Sequence, residues 1–175
     1  MGDIYIRREL PYPSGLNTGF VTGCARNIVD AVVSRIRSSE LNDLGFLLWE
    51  LSVSLISDKE IRDINNRFRN LDESTDVLSF PQYEPNEIDE IIRTPVPTSK
   101  VILGDIVISL EWVGREGKND PEIARKVFAR LMIHGILHLF GWDHETSKDE
   151  KMMKSEEDRI LLELEDFISG VVRSI

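Results

Sequence analysis

The spacing of apolar residues along the chain predicts four short strands separated by helices. In 46–57, Leu51, Val53 and Leu55 alternate with serines, which is typical of a half-buried strand. Over 17–38 the apolar residues recur with helical spacing and predict an amphipathic helix. The same criteria predict further strands at 4–10, 75–80 and 101–109, and further helices that begin near 58, 109, 120 and 147.

Capping residues place the ends of several of these helices. The segments 57–60 and 147–150 each carry a serine followed three residues later by a glutamate, which is a capping box. Asp120 before a proline favours a helix start, and Gly141 suits the left-handed residue that ends that helix. Strands and helices alternate only in part. We therefore expect an α+β fold, a small mixed sheet of about four strands with about five helices, in a single domain of 1–175.

One segment, 81–100, differs in composition from its neighbours. It holds four prolines, and 81–92 carries four acidic residues and no basic ones. We interpret it as a surface loop or insertion that is too polar to pack.

Composition is that of a soluble globular protein, with 41% hydrophobic and 30% charged residues among 175. No run approaches the roughly 20 apolar residues of a membrane span, and the first residues show no apolar signal segment, so a cytoplasmic protein is expected. The single cysteine, Cys24, lies in an apolar helical pattern and is interpreted as a core residue.

Charge is unevenly distributed along the chain. The net charge of −10 argues against a protein that coats nucleic acid non-specifically. However, 115–130 carries five basic residues against three acidic ones, and we hypothesise that it flanks an anionic substrate, with Arg125 and Lys126 as contacts.

All three histidines of the chain lie in the stretch HGILHLFGWDH, at His134, His138 and His144. On a helix, the first two rings are about 40° apart around the axis and about 6 Å apart along it, so both reach one point. They continue a helical stripe of apolar residues, Ile123, Val127 and Leu131, and are expected to face inward. Each alone would suit a buried histidine hydrogen-bonded to backbone, but Gly141 turns the chain so that His144 arrives beside the pair.

Three imidazoles with an open fourth position are the ligand set of a catalytic zinc site. One Zn²⁺ per chain is the first choice, and Ni²⁺ or Cu²⁺ would fit the same ligands. The spacing matches the metzincin protease signature except at Gly135, where those proteases need a glutamate as general base. A bound metal still lowers the pKa of water to about 7, but the missing carboxylate argues against proteolysis.

Three blocks of the sequence resemble the YbeY family of bacterial metal-dependent endoribonucleases. HGILHLFGWDH is similar to that family's HGxLHLxGxDH motif, NNRFRNLDESTDVLSFP (65–81) to its N-x-x-x-R and TDVLSFP block, and LGDIVIS (103–109) to its LGDIxIS strand. The resemblance implies a zinc-hydrolase-like cleft with His134, His138 and His144 as ligands. It also implies that Arg69 is a functional residue near the metal, where a guanidinium would clamp a phosphate.

The resemblance further implies a single-strand-specific endoribonuclease that matures the 3′ end of 16S rRNA and takes part in ribosome quality control. The expected partners are single-stranded RNA or rRNA and the ribosomal small subunit or its assembly proteins, with no membrane and no DNA. Whether water or the substrate 2′-hydroxyl is the nucleophile stays open. So do two alternatives: a metal-dependent hydrolase of a non-RNA substrate, and a non-catalytic assembly factor with structural zinc.

Four further polar residues lie in or beside these blocks. We expect Asp76 to make hydrogen bonds at a strand end. We expect Asp143 to fix the turn before His144 or to orient a ring, and not to bind metal. Asp105, in an apolar strand, is expected to be buried with a partner, which is either structural or a histidine N–H. Ser109 is a candidate N-cap for the next helix.

Overall fold

Four strands form one mixed sheet in the computed structural model, which describes residues 2–37, 48–93, 100–144 and 146–170. The strands are β1 (Gly2–Arg8), β2 (Trp49–Ile56), β3 (Val77–Pro81) and β4 (Val101–Ser109). Their order is β1-β2-β4-β3. β1, β2 and β4 run parallel, whereas β3 pairs antiparallel with β4 and forms one edge of the sheet. The expected α+β fold with a small mixed sheet is confirmed.

Seven helices occur in the described ranges, two more than the sequence predicts. They are α1 (Thr18–Ile36), α2 (Asp58–Arg69), α3 (Pro85–Arg93), α4 (Leu110–Gly117), α5 (Pro121–Leu139), α6 (Ser147–Glu163) and α7 (Glu165–Ser169). The additional helices are α3 and α7; α7 arises because the predicted C-terminal helix is interrupted at Leu164. No helix in these ranges is both long and apolar enough to cross a membrane.

The prediction that 81–100 is an unpacked loop is wrong for 85–93, which forms α3. Two isoleucines one helical turn apart, Ile88 and Ile92, are fully buried and belong to the main hydrophobic core. The helix is strongly amphipathic, because Glu87 and Glu90 are exposed while these isoleucines are buried. Residues 94–99, with the last two prolines of the segment, lie outside the described residues.

Most helix starts follow from the predicted caps. The capping box at Ser57 is present, Asp120 accepts hydrogen bonds from the first turn of α5, and Ser109 accepts one from the Trp112 N–H. The second predicted capping box is wrong by one residue. Thr146, not Ser147, is the N-cap of α6, and its side chain accepts from the Asp149 N–H.

The two faces of the sheet support cores of different size. The larger core lies between the sheet and α1, α3 and α5, and it contains the inward residues of β2 and also Cys24. Burial raises the pKa of Cys24 to about 12, in keeping with its prediction as a core residue. The smaller cluster lies on the opposite face under α2. Its members are Ile56, Ile61, Leu78 and Val107, with Ile64 and Phe80 packed against them.

Candidate metal centre

Helix α5 carries His134 and His138 one turn apart, on the side that opens to a cleft. Their rings are edge to face with centroids 4.6 Å apart, and their Nε2 atoms are 3.1 Å apart. Both side chains are half-buried. Two imidazole nitrogens therefore already point at a common position.

His144 reaches this pair because α5 ends in a full Schellman motif. The Trp142 N–H donates to the Leu137 carbonyl and the Gly141 N–H donates to the His138 carbonyl, with Gly141 in the left-handed region at φ 79°. As expected, Asp143 fixes the turn, since its Oδ1 accepts from the His144 N–H at 2.7 Å. The His144 ring centroid then lies 5.2 Å from that of His138.

The expectation that the histidines continue a buried stripe is wrong. The stripe through Ile123, Val127 and Leu131 runs along the margin of α5, and Ile123 is 40% exposed. The buried face consists of other residues: Ala124, Phe128, Ala129, Met132, Ile133, Ile136 and Leu137. Because the histidines lie at the margin of this face, their rings open to a cleft instead of the core.

Glu157 on α6 holds the first histidine in place. Its Oε1 lies 2.7 Å from His134 Nδ1, and both side chains are about one-third exposed, at 30% and 33%. A carboxylate at Nδ1 favours the tautomer with the proton on that nitrogen, which leaves the Nε2 lone pair for a metal. Sequence reasoning missed this residue, because Glu157 is one of many acidic residues in its helix and no motif marks it as the partner of a histidine.

The charge state of His138 also suits a ligand. Burial lowers the pKa of His138, and the neighbouring His134 and His144 lower it further, while a backbone hydrogen bond with Trp142 and the charge of Asp143 act in the opposite direction. A lowered pKa keeps the ring neutral near pH 7, and a metal requires the neutral imidazole.

The donor set fits a metal ion. One nitrogen from each of His134, His138 and His144 lies within 4.8 Å of the others. A tetrahedral ion with Zn–N bonds of about 2.0–2.1 Å places its ligand nitrogens about 3.3 Å apart, so only small side-chain shifts are needed. Three imidazoles suit zinc, nickel or copper, and the open side would admit a further ligand.

Arg69 lines the same cleft as the three histidines. This cavity has a volume of about 430 Å³, and its wall also includes Val77, Ser79, Pro81, Pro85, Gly141, Trp142 and Asp143. A second cavity of about 330 Å³ adjoins the first, because both are lined by Arg69, Val77 and His134. Arg69 and His134 thus stand where the two cavities meet.

The connection between α2 and β3 fixes the backbone beside Arg69. α2 ends at Asn70, which is left-handed at φ 58°. Asn65 is buried, and its Nδ2 donates to the Glu73 carbonyl at 2.9 Å. Arg62 forms a bidentate ion pair with Asp72, with both N–O distances 2.8 Å. The asparagine of the N-x-x-x-R block therefore holds the loop that follows its arginine.

Asp76 has the strand-end role that was expected. Its Oδ1 accepts from the Val77 N–H at 2.8 Å and lies 3.1 Å from Thr75 Oγ1. Asp76 also lines the second cavity.

The expectation of a buried Asp105 is wrong, since this residue is exposed. A register shift in the β2–β4 pairing, where Glu50 opposes Ile102 but Leu51 opposes Gly104, inserts one extra residue into β4. Such a bulge reverses the alternation of side chains after it. Gly104 allows the bulge, because its φ is +133° and a Cβ there would lie 2.2 Å from the Phe80 carbonyl oxygen.

The close approach of α5 to the sheet accounts for Gly135. A Cβ at this position would lie 3.2 Å from Ile106 Cδ1 and 3.3 Å from Ser79 Oγ. Position 135 faces the sheet, and even a Cβ there would require these side chains to shift by a few tenths of an ångström. The larger side chain that metzincins use as general base would therefore be crowded at this position.

Of the basic residues in 115–130, Arg130 is the one that reaches the histidine site. It is exposed and lines the cavity shared with Arg69 and His134. The two residues expected to contact the substrate are engaged elsewhere: Arg125 Nε donates to the Ile168 carbonyl at 2.6 Å, and Lys126 pairs with Glu122 at 2.7 Å.

The fold and the site together define a candidate metal-dependent hydrolase. Helix α5, which packs on the sheet, supplies two of the three clustered imidazoles that line an open cleft. Comparison with known proteins agrees with this class. The family model described as Endoribonuclease YbeY matches residues 20–165. The chain therefore belongs to the YbeY family of endoribonucleases, and the resemblance of its three sequence blocks to that family is confirmed.

Individual relatives show the same membership. The chain is 35% identical to the Endoribonuclease YbeY of Caldanaerobacter subterraneus subsp. tengcongensis over 80% of its own length and 87% of the relative. It is 37% identical to that of Persephonella marina over 85% of its length and 92% of the relative. It is 33% identical to the Endoribonuclease YbeY of Caldicellulosiruptor saccharolyticus over 76% of its length and 87% of the relative.

Proposed function

We propose that this protein is a zinc-dependent endoribonuclease of single-stranded RNA, folded as a single YbeY-like domain. His134, His138 and His144 hold the metal, and Arg69 binds the scissile phosphate. The observation that carries the proposal is that Arg69 and all three histidines line one cleft of about 430 Å³.

Each group has a distinct part in the reaction. A bound zinc ion would supply Lewis acidity at the scissile phosphodiester. Arg69 donates up to two parallel hydrogen bonds to the phosphate and offsets the charge that develops on it. Glu157 keeps His134 in the orientation that points Nε2 into the cleft. No side chain at position 135 acts as a base, so the arginine is the second functional group beside the ligands.

The cavities suit single-stranded RNA. Volumes of about 430 and 330 Å³ are in the range of small-molecule pockets, and each is large enough for roughly one nucleotide. Unpaired nucleotides turn their bases outward and enter such pockets, whereas duplex RNA keeps its bases stacked inside the helix. This supports the proposed preference for single strands.

Local charge alone does not attract a polyanion to this cavity, because its two arginines are outnumbered by three carboxylates. Arg69 and Arg130 face the cavity beside His134, together with Asp76, Glu157 and Asp158. On a chain of net charge −10, two arginines provide weak general attraction for a polyanion. We therefore propose that the substrate is presented by a partner, the ribosomal small subunit or an assembly protein. The proposed biological role is 3′-end maturation of 16S rRNA and ribosome quality control, in the cytoplasm.

The two alternatives make different predictions. A hydrolase of peptides would lose casein cleavage in the His134→Ala variant, whereas we expect loss of RNA cleavage only. A structural zinc predicts unfolding after His138→Ala. We expect that variant to stay folded, because His134 and His138 are only half-buried, at the margin of the core.

The decisive experiment combines metal analysis with the Arg69→Ala variant. We expect one zinc per chain in both proteins, an unchanged melting temperature, and RNA cleavage reduced about 100- to 1,000-fold, as for loss of a transition-state donor. Arg93→Ala, which removes an exposed arginine at the end of α3, is the matched control and should cleave normally. Wild-type cleavage by Arg69→Ala would refute the role of the arginine.

A further inference from the structure

We propose that Phe68 is a stacking platform for an unpaired base of the substrate, next to the phosphate held by Arg69. The proposal rests on the proposed function, since it assigns a second contact on the same RNA. The platform consists of Phe68 with Arg67 and Phe80.

The Phe68 ring is 60% exposed, although it is a large apolar side chain. It is nevertheless supported by its neighbours. Phe80 meets it edge to face, with centroids 5.2 Å apart and planes at 65°, and the Arg67 guanidinium carbon lies 5.4 Å from its centroid. Phe80 in turn is half-buried against the small core under α2. The ring is therefore held in place while most of its surface stays open to solvent.

The position of the platform relates it to the cleft. Phe68 immediately precedes Arg69, the last residue of α2. Along the edge strand β3, Val77, Ser79 and Pro81 line the cleft, whereas Phe80 points to the opposite face and meets Phe68. An RNA strand that crosses the edge of β3 would thus pass from the histidines over Arg69 to the Phe68 ring.

The chemistry of this surface selects single-stranded RNA as its occupant. A largely exposed aromatic ring with an arginine on either side of it in the sequence, Arg67 and Arg69, combines a stacking surface with phosphate-binding charge. Sequence-tolerant single-strand binders are built in this way. The nearby Leu71 is 48% exposed and extends the apolar surface. A protein partner would also cover apolar area, but it would not require an aromatic ring at position 68.

The test uses the zinc-loaded full chain and a short single-stranded 2′-O-methyl phosphorothioate oligonucleotide, which resists cleavage. It carries 2-aminopurine at each position in turn, because the fluorescence of this base is quenched when it stacks. Phe68→Leu keeps an apolar contact with Phe80 but removes the aromatic face. We expect about 5- to 150-fold weaker binding and loss of quenching at one position, the range measured for loss of one stacked base.

Further variants separate stacking from packing and charge. Phe68→Trp should bind at least as tightly as the wild type, and this variant decides the question if Phe68→Leu fails to fold. Phe68→Leu should leave the salt dependence of binding unchanged, whereas Arg69→Ala should reduce it. Tyr5→Ala removes a 54% exposed aromatic ring from β1, at the opposite edge of the sheet, and should bind like the wild type.

Three negative results have different meanings. Wild-type affinity and quenching in Phe68→Leu, with RNA cleavage intact, would overturn the platform and leave the proposed function standing. A wild-type protein that neither binds nor cleaves RNA when loaded with zinc would overturn both. Equal losses in Phe68→Leu and Phe68→Trp would mean that position 68 acts through packing alone, and this would also overturn the platform.

Discussion

Replacing Glu157 tests whether the acidic residue on α6 helps the histidines to hold metal. Its Oε1 lies 2.7 Å from His134 Nδ1, so the bond is charge-assisted when the ring donates its proton. Loss of such a partner behind a metal ligand weakens metal binding by about 10- to 100-fold, or about 1.4–2.8 kcal/mol. Because both side chains are about one-third exposed, at 30% and 33%, solvent screens the pair and we expect Glu157→Gln near the lower limit.

The assay is competition for Zn²⁺ between the protein and a chromophoric chelator, with circular dichroism to confirm folding. Glu157→Ala should bind more weakly than Glu157→Gln, since glutamine retains an oxygen that accepts from Nδ1–H. Asp158→Asn is the matched control, because Asp158 is exposed and lines the same cavity and its replacement removes the same charge. Unchanged zinc affinity in Glu157→Ala, or an equal loss in Asp158→Asn, would refute the reasoning.

Three further predictions concern the fold. Gly135→Glu should unfold at lower temperature than the wild type without gaining protease activity, because the new side chain meets Ile106; a stable, casein-cleaving variant would contradict this. Ile88→Ala should lower the free energy of unfolding by about 2–5 kcal/mol in urea titration, because the residue is fully buried. A loss below about 0.5 kcal/mol would contradict the packing of 85–93 against the core. Burial alone would raise the pKa of Asp58, but hydrogen bonds from Arg115 and Ser109 hold it below its usual value. The contribution of Asp58 is thus present above its unfolded pKa of about 3.9 and lost as pH falls below it, so the stability difference between wild type and Asp58→Asn should shrink under acid.

The metal ligands were predictable because their arrangement is local. The spacing of His134 and His138 on one helix, and the helix-ending Gly141, determine most of the geometry of the site. Glu157 was not predictable in this way. Its contact with His134 depends on how α6 packs against α5, and nothing in the periodicity of either helix encodes that packing.

The errors in the predicted fold also have particular causes. The prolines and acidic residues of 81–100 concealed Ile88 and Ile92, although their spacing of four is a helical signal. Asp105 was misplaced because an extra residue in β4 shifts the alternation, and only pairing with β2 reveals that shift. For α5, the prediction took the row of side chains beside the buried face as the buried face itself. It therefore placed the histidines toward the core instead of the cleft.

The bond from Asn65 to the Glu73 carbonyl has a thermodynamic consequence for substrate affinity. Fixing the backbone of a residue costs on the order of 1–2 kcal/mol of conformational entropy at room temperature. The connection at 70–76 is ordered by this bond and by the ion pair of Arg62 with Asp72, both of which form when the chain folds. The entropy of the connection is therefore lost once, during folding, and RNA that reaches Arg69 does not have to order it again.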